Sequence, residues 1–214
     1  VSVYNGGTGN VSITSTGDVT TSGDGADGLD GIANIGDVSV TSTGNVITSG
    51  DGARGIFSVT NTGNVSITSA GNVTTSGDGS RGIFSITNTG NVSITSTGNV
   101  STSGNDTRAV AIYGVAITGN VSITSMGNVS TTQRVSTAII GIAYTAGNVP
   151  LTPPGNDSPN GPDPTGIYGP ASTGEAITSS SRRVPSHGAF SGVADGPAQV
   201  YRHCTHASPG SPPT

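Results

Sequence analysis

The sequence predicts an all-β fold, a right-handed parallel β-helix (β-solenoid) with about 27 residues per coil and three short strands in each coil. Three observations predict it: a phrase of the type Gly63–Ser69 recurs along the chain, apolar and polar residues alternate, and Gly-Asn or Gly-Asp pairs separate the segments. The right hand is expected from the general handedness of parallel crossovers, not from any residue of this chain.

Each repeat divides into three parts. The phrase begins at six glycines, with steps of 27, 27, 27, 29 and 28 residues: Gly9, Gly36, Gly63, Gly90, Gly119 and Gly147. A second Gly-Asn-Val or Gly-Asp-Val follows after eight residues, and in the early units a third glycine follows eight residues later. Because glycine, Asn and Asp tolerate the backbone of tight turns, each unit predicts three strands joined by turns.

Stacked coils bring equivalent residues into columns, and the apolar columns are expected to point inward. The first strand supplies Val11 and Ile13 with their equivalents, and the second supplies Val19 with its equivalents. The third strand is expected to supply the column Leu29, Ile56, Ile83, Val110 and Ile139. A further apolar series lies three residues on, which is the wrong parity for one straight strand and predicts a bend: Ile32, Val59, Ile86, Tyr113 and Ile142.

The composition excludes several classes of protein. With 31% hydrophobic and 4% aromatic residues, the chain cannot fill one thick globular core. The net charge is −5 and there is no Lys, so no basic patch is available to neutralise nucleic-acid phosphates. No apolar stretch approaches the roughly 18 residues of a membrane-spanning helix. No signal-peptide pattern opens the chain at Val1, and Cys204 alone predicts no internal disulfide.

Proline divides the chain into three regions. All 12 prolines lie between Pro150 and Pro213, and proline fits poorly into a hydrogen-bonded strand. We therefore predict regular coils over 1–146 and a degraded, Pro-containing sixth coil over 147–178. Periodicity ends near Ser179, so residues 179–214 are expected to form a disordered or aberrant tail.

Acidic residues recur in one turn of the early coils, at Asp24, Asp51 and Asp78. Three carboxylates at coil spacing repel one another unless a cation or nearby arginines relieve them. Asp27 heads a column that continues as Arg54, Arg81 and Arg108, three residues further along. Three interpretations stay open: solvated turn residues with weak surface pairing, a weak calcium site at the three aspartates, or a polysaccharide-cleaving site that uses their carboxylates.

Hydroxyl side chains alternate with the inward residues of the first strand. They are expected to form two outward columns and thus a flat candidate binding face: Ser12, Thr14, Ser39, Thr41, Ser66, Thr68, Ser93, Thr95, Ser122 and Thr124. This lattice resembles the Thr-x-Thr face of ice-binding solenoids, although its first column is Ser. The alternative is an ordinary solvated strand face.

Two further motifs have simpler explanations. Asn-Val-Ser or Asn-Val-Thr matches the N-glycosylation acceptor at several turns, but turn, inward and outward preferences explain the same pattern. The tail contains His203, Cys204 and His206, with His187 upstream, and no fourth ligand at typical spacing. We therefore predict no metal site in the tail, no cofactor and no catalytic His arrangement.

The segments Gly44–Ile56 and Gly71–Ile83 share the phrase Gly-Asn-Val-x-Thr-Ser-Gly-Asp-Gly-x-Arg-Gly-Ile. This phrase resembles the repeated passenger segments of bacterial autotransporters, the type V secreted proteins of the Gram-negative outer membrane. The resemblance covers about residues 1–178. It implies a β-helical stalk displayed outside the cell or on the bacterial surface, with a role in adhesion or display and no catalytic residues.

The expected function is therefore that of a non-enzymatic stalk or adhesin segment. Its expected partners are host-surface molecules, extracellular-matrix molecules or glycans, and any membrane link is expected to run through a barrel domain outside this chain. The alternatives are an ice-binding solenoid that uses the Ser/Thr columns and a carbohydrate-active β-helix enzyme.

Overall fold

A computed structural model gives the protein's structure and describes residues 1–104, 109–132, 137–145, 147–152, 157–159, 165–169, 176–180, 189–191 and 200–204. All regular elements in these ranges are β-strands. In chain order they are β1 Ser2–Thr8, β2 Val11–Ser15, β3 Val19–Thr21, β4 Leu29–Ile35, β5 Val38–Ser42, β6 Val46–Thr48, β7 Arg54–Thr62, β8 Val65–Ser69, β9 Val73–Thr75, β10 Arg81–Thr89, β11 Val92–Ser96, β12 Val100–Thr102, β13 Val110–Thr118, β14 Val121–Ser125, β15 Val129–Thr131, β16 Thr137–Ala143, β17 Val149–Thr152, β18 Asp157–Pro159, β19 Thr165–Tyr168, β20 Ala176–Ser180, β21 Ala189–Ser191 and β22 Val200–Cys204.

The strands form three parallel sheets, which confirms the predicted β-solenoid. Sheet A has the order β1-β4-β7-β10-β13-β16-β19-β21, and sheet B has the order β2-β5-β8-β11-β14-β17-β20-β22. Sheet C has the order β18-β15-β12-β9-β6-β3. Each strand inside a sheet therefore pairs with its equivalents one coil earlier and one coil later, and the strands at the two ends of a sheet pair with one equivalent. The handedness of the coil stays a prediction.

Register pairs confirm the stacking. Val38 pairs with Val65, which pairs with Val92, so residues 27 positions apart lie directly over one another. The interior is formed by the Val and Ile columns of sheet B, the Val column of sheet C and a Leu and Ile column of sheet A. Small polar residues also point inward, because Ser58 and Thr60 of sheet A and Thr75 of sheet C are buried.

The third-strand column differs from the prediction in one coil. Ile83 pairs with Ile112, and Val110 pairs with Arg81 instead. The fourth step is 29 residues long, and the register shows that its two extra residues lie between Gly104 and Val110, which moves Ile112 into the core column. Val110 was therefore the wrong member of that column.

The predicted bend in the third strand was also wrong. Strand β7 alternates regularly, with Ile56, Ser58 and Thr60 buried and Phe57 and Val59 half-buried on the outside. Tyr113 belongs to the Phe84 column, and Val115 pairs with Ile86. The apolar series that contains Val59 and Ile86 thus lies on the outer face of sheet A. The core position before each of them is taken by a small residue, Ser58 or Ser85.

The sheets continue beyond the regular repeats. Strands β17, β18 and β19 fall within the predicted sixth coil, and β20 pairs with β17. Strands β21 and β22 lie in the stretch for which the sequence predicts no strand pattern, and they pair with β19 and β20. Backbone hydrogen bonds alone form such a pairing, so it does not require the repeated phrase.

Candidate binding surfaces

The turns are joined along the solenoid by side-chain hydrogen bonds. In two columns, the Oδ1 atom of each Asn or Asp accepts a bond of 2.7–3.0 Å from the backbone N–H of the equivalent residue in the next coil. The columns are Asn10, Asp37, Asn64, Asn91, Asn120 and Asn148, and Asp18, Asn45, Asn72, Asn99 and Asn128. These columns contain the glycosylation-like motifs, so the same Asn side chains have a structural role.

The acidic column follows the same rule. Asp24 accepts a 3.1 Å bond from the Asp51 N–H, and Asp51 accepts a 2.8 Å bond from the Asp78 N–H. Backbone N–H groups thus supply the partial positive charge that the sequence analysis assigned to a cation or to arginines. All three residues are exposed. The calcium hypothesis for them stays a prediction.

Asp27 and Arg54, which are equivalent residues of successive coils, form an ion pair. The Asp27 carboxylate lies 3.3 Å from Nε of Arg54 and accepts a 2.7 Å bond from the Arg54 N–H. The Arg54 and Asp27 side chains are 26% and 10% exposed, respectively. Burial raises the pKa of Asp27 above its usual value, and the hydrogen bond and charge of Arg54 offset that effect only in part. Arg108, the predicted continuation of this column, lies outside the described residues.

The predicted Ser/Thr face lies on the outside of sheet B. Ser12, Ser39, Ser66, Ser93 and Ser122 pair in register, as do Thr14, Thr41, Thr68, Thr95 and Thr124. All ten of these residues are exposed or half-buried. Thr152 pairs with Thr124 and extends the second column by one coil, which the sequence analysis missed. The columns repeat about every 4.8 Å along the solenoid and about every 6.7 Å along a strand.

A second surface, on the outside of sheet A, was not predicted. We call it the aromatic ridge: the rings of Phe57, Phe84 and Tyr113 stack along the solenoid with centroid separations of 5.5 and 5.1 Å. The Arg54 guanidinium lies 3.8 Å from the Phe57 centroid, and that of Arg81 lies 4.8 Å from the Phe84 centroid. The recurring Gly-Ile-Phe-Ser phrase carried this signal, since strict alternation puts Ile inside and Phe outside.

Chemistry-bearing residues do not converge in the described part of the chain. Its His, Cys, Asp and Glu side chains include no group of three or more placed to hold a metal ion. His203 and Cys204 end strand β22, and His187 and His206 lie outside the described residues. No helix among the described residues is long and apolar enough to cross a membrane.

Comparisons with protein-family models, curated proteins and solved structures gave no match for this chain. The resemblance to autotransporter passenger repeats therefore stays a prediction from the repeat phrase.

Proposed function

We propose that this chain is a non-enzymatic stalk or adhesin segment of an exported, autotransporter-like surface protein. The observation that carries the proposal is the continuous pairing of equivalent residues from coil to coil. Such a solenoid adds length with each repeat and keeps the same flat faces along its whole length. Those are the properties that a stalk requires, and they need no reacting group.

The chemistry of the turns supports a role outside the cell. Each Asn or Asp of the turn columns links one coil to the next without a long charged side chain, and the chain contains no Lys. A backbone whose N–H and C=O groups are paired along the solenoid offers few extended segments to a protease. Weak contacts repeated along the Ser/Thr face would add up through multivalency.

Surface display tests the stalk proposal directly. The chain is placed between an export signal and an outer-membrane translocator domain in a Gram-negative bacterium, and intact cells are treated with protease. We expect the segment to reach the surface and to persist there. The matched control is Ile67→Asp, which places a charge among the buried side chains of the core. This variant should unfold, and the protease should then degrade it rapidly.

Two results would contradict the proposal. One is failure of the original segment to reach the surface, or its cleavage as fast as the Ile67→Asp variant. The other is polysaccharide turnover that disappears in Asp51→Asn and Asp78→Asn variants, which would favour the enzyme alternative.

The Ser/Thr columns favour ice binding as a second candidate function, because their hydroxyl groups form a regular outward lattice on sheet B. Its test is the thermal hysteresis of the purified chain. A Thr68→Tyr variant should abolish any activity by interrupting the lattice, whereas Thr74→Tyr on the outside of sheet C should leave it intact. Absence of hysteresis in the original chain would remove this candidate.

A further inference from the structure

We propose that the outer face of sheet A, built around the aromatic ridge, is a dimer interface that binds a second copy of this chain. In the proposed dimer, two solenoids lie side by side in the same direction, related by a two-fold axis parallel to the solenoid. This inference goes beyond the stalk function and stands or falls independently of it.

The middle of the face, on β7, β10 and β13, is apolar, with half-buried Phe57, Phe84 and Tyr113, whereas the ridge column continues on β4 as Asp30. Beside the ridge runs a lower aliphatic row, Val59, Ile86 and Val115, which continues as Ile142. Strands β7, β10 and β13 make their main contacts with their neighbours in sheet A and with strands across the core. Soluble monomers rarely expose a contiguous apolar patch larger than a few hundred Å².

The size of the apolar part of the face suits a small and reversible dimer contact. Strands β7, β10, β13 and β16 have seven to nine residues each. At about 4.8 Å between strands and about 3.3 Å per residue, they form a face of roughly 19 by 23–30 Å. That area, roughly 440–570 Å² on each partner, is smaller than the about 800 Å² of a standard interface, so we expect weak association.

The face is also complementary to itself. Phe57 and Val59 lie on either side of Ser58, whose side chain points inward. A two-fold axis parallel to the solenoid and passing over the Ser58 column exchanges these two positions. The aromatic ridge of each copy then packs on the lower aliphatic row of the other, which is the reciprocal contact that an isologous interface requires.

Charge selects this axis over a two-fold axis along the strands. Arg54 and Arg81 lie at the same end of their strands and cover the ridge from one side. An axis along the strands would bring the arginine columns of the two copies together, and like charges repel. The proposed axis instead places each arginine column over the polar strand ends of the other copy, near Asn61 and Asn88.

A glycan is the weaker occupant for this surface. Sugars stack on the open face of an aromatic ring, and neighbouring groups already cover ring faces of Phe57 and Phe84. Phe84 is stacked between Phe57 and Tyr113, and the Arg54 guanidinium covers Phe57. What the ridge presents to the outside is ring edges, which suit packing against another apolar side-chain row.

Sedimentation velocity over a range of concentrations tests the dimer on the full chain. We expect reversible dimers, and we expect Phe84→Glu and Ile86→Glu each to raise the dissociation constant at least about 30-fold, which corresponds to about 2 kcal/mol at an interface centre. The matched control is Ile47→Glu, an exposed apolar residue on the outside of sheet C, which should leave association unchanged. Circular dichroism melts establish that each variant is folded.

Three results would overturn the dimer: a chain that stays monomeric at all concentrations, equal weakening by Ile47→Glu, or dimers that ignore both substitutions at the centre of the face. If Phe84→Glu fails to fold, Ile86→Glu carries the test. A further measurement fixes the axis. In a Cys204→Ser background, a bismaleimide crosslinker with a span of about 10 Å, the spacing of packed sheets, should join Phe84→Cys to Ile86→Cys in a mixture. The same crosslinker should not join Asn88→Cys to itself, because Asn88 is exposed and the proposed axis separates its two copies by six residues, about 20 Å, along the strands. Efficient crosslinking of Asn88→Cys to itself would overturn the proposed axis.

Discussion

Asp37 and Asn64 lie at equivalent turns of successive coils, and a single oxygen joins them. The Asp37 Oδ1 atom accepts a 2.7 Å bond from the Asn64 backbone N–H and a 3.2 Å bond from the Asn64 side-chain amide. Asn64 accepts the same two bonds from Asn91. A turn at the surface thereby acquires pairing along the solenoid that adds to the backbone hydrogen bonds of the sheets.

Removing one amide from this column should destabilise the stack. Asn91 accepts bonds from the N–H and the side chain of Asn120 and donates one from its own side chain to Asn64. We expect Asn91→Ala to lower the free energy of unfolding by about 1 kcal/mol, the net contribution of exposed hydrogen bonds of this kind. Denaturant unfolding measures the change.

The control for this column is Asn91→Asp, which keeps the oxygen that accepts from Asn120 and resembles the natural Asp37 position. It should retain most of the stability lost in Asn91→Ala. If both variants unfold at the same denaturant concentration as the original chain, the column contributes nothing to stability.

Close packing of turn backbones makes one class of glycine irreplaceable. Gly63 has φ of +143°, and a Cβ atom there would lie 2.2 Å from the carbonyl oxygen of Gly36. Gly52 has φ of +68°, and nothing lies within 4 Å of a Cβ at that position. We expect Gly63→Ala to cost more than about 3 kcal/mol and Gly52→Ala about 1 kcal/mol, since only backbone strain applies at Gly52. Thermal melts compare the two, and equal costs would show that the overlap with Gly36 is unimportant.

Periodicity predicts the columns of sheets B and C because every unit has the same spacing there. Val38, Val65 and Val92 needed only their 27-residue separation to be placed over one another. The 29-residue step shows that one unit has two additional residues, but the sequence does not indicate their position within the unit. For that reason Val110 was predicted in the column that Ile112 occupies.

The candidate surfaces were predictable to different degrees. The Ser/Thr face follows from alternation with Val and Ile on a short strand, and its two columns pair in register as the alternation predicts. The aromatic ridge was missed because Ser58 and its equivalents were interpreted as a bend, although small polar residues also fit inside a narrow solenoid. Hydrogen bonds such as that from the Asn64 N–H to Asp37 could not be predicted from the sequence, because they depend on side-chain direction as well as on register.

The corrected alternation of the third strand has a direct energetic consequence. Ile83 is fully buried, whereas Ile86 lies on the outer face three residues later. We expect Ile83→Ala to cost about 2–5 kcal/mol of unfolding free energy, since it leaves a cavity between coils. The same change at Ile86 should cost less than about 1 kcal/mol when measured at a concentration where the chain is monomeric. If Ile86→Ala lowered the free energy of unfolding more than Ile83→Ala, the side chain of Ile86 would point into the core, as a bend in the third strand predicts.

Asp27 should make stability depend on pH in an unusual direction for a carboxylate. Burial raises the pKa of Asp27 above the ordinary value of 3.8, so the folded chain holds this proton more tightly than the unfolded chain. Its contribution is complete below pH 3.8 and is lost as the pH rises through the raised pKa of the folded state. Over that window, Asp27→Asn should become more stable relative to the original chain as the pH rises.

The amide introduced by Asp27→Asn keeps an oxygen for the Arg54 N–H, whose 2.7 Å bond the Asp27 carboxylate accepts in the original chain, so the comparison isolates the carboxylate charge. Urea unfolding at a series of pH values measures the difference, and Asp24→Asn serves as the matched change at an exposed turn. The opposite trend, with the original chain gaining stability over Asp27→Asn as the pH rises, would mean that attraction to Arg54 outweighs burial. Asp27 would then act as a conventional ion-pair partner, and the position of the Arg54 side chain over Phe57 would depend on the Asp27 charge.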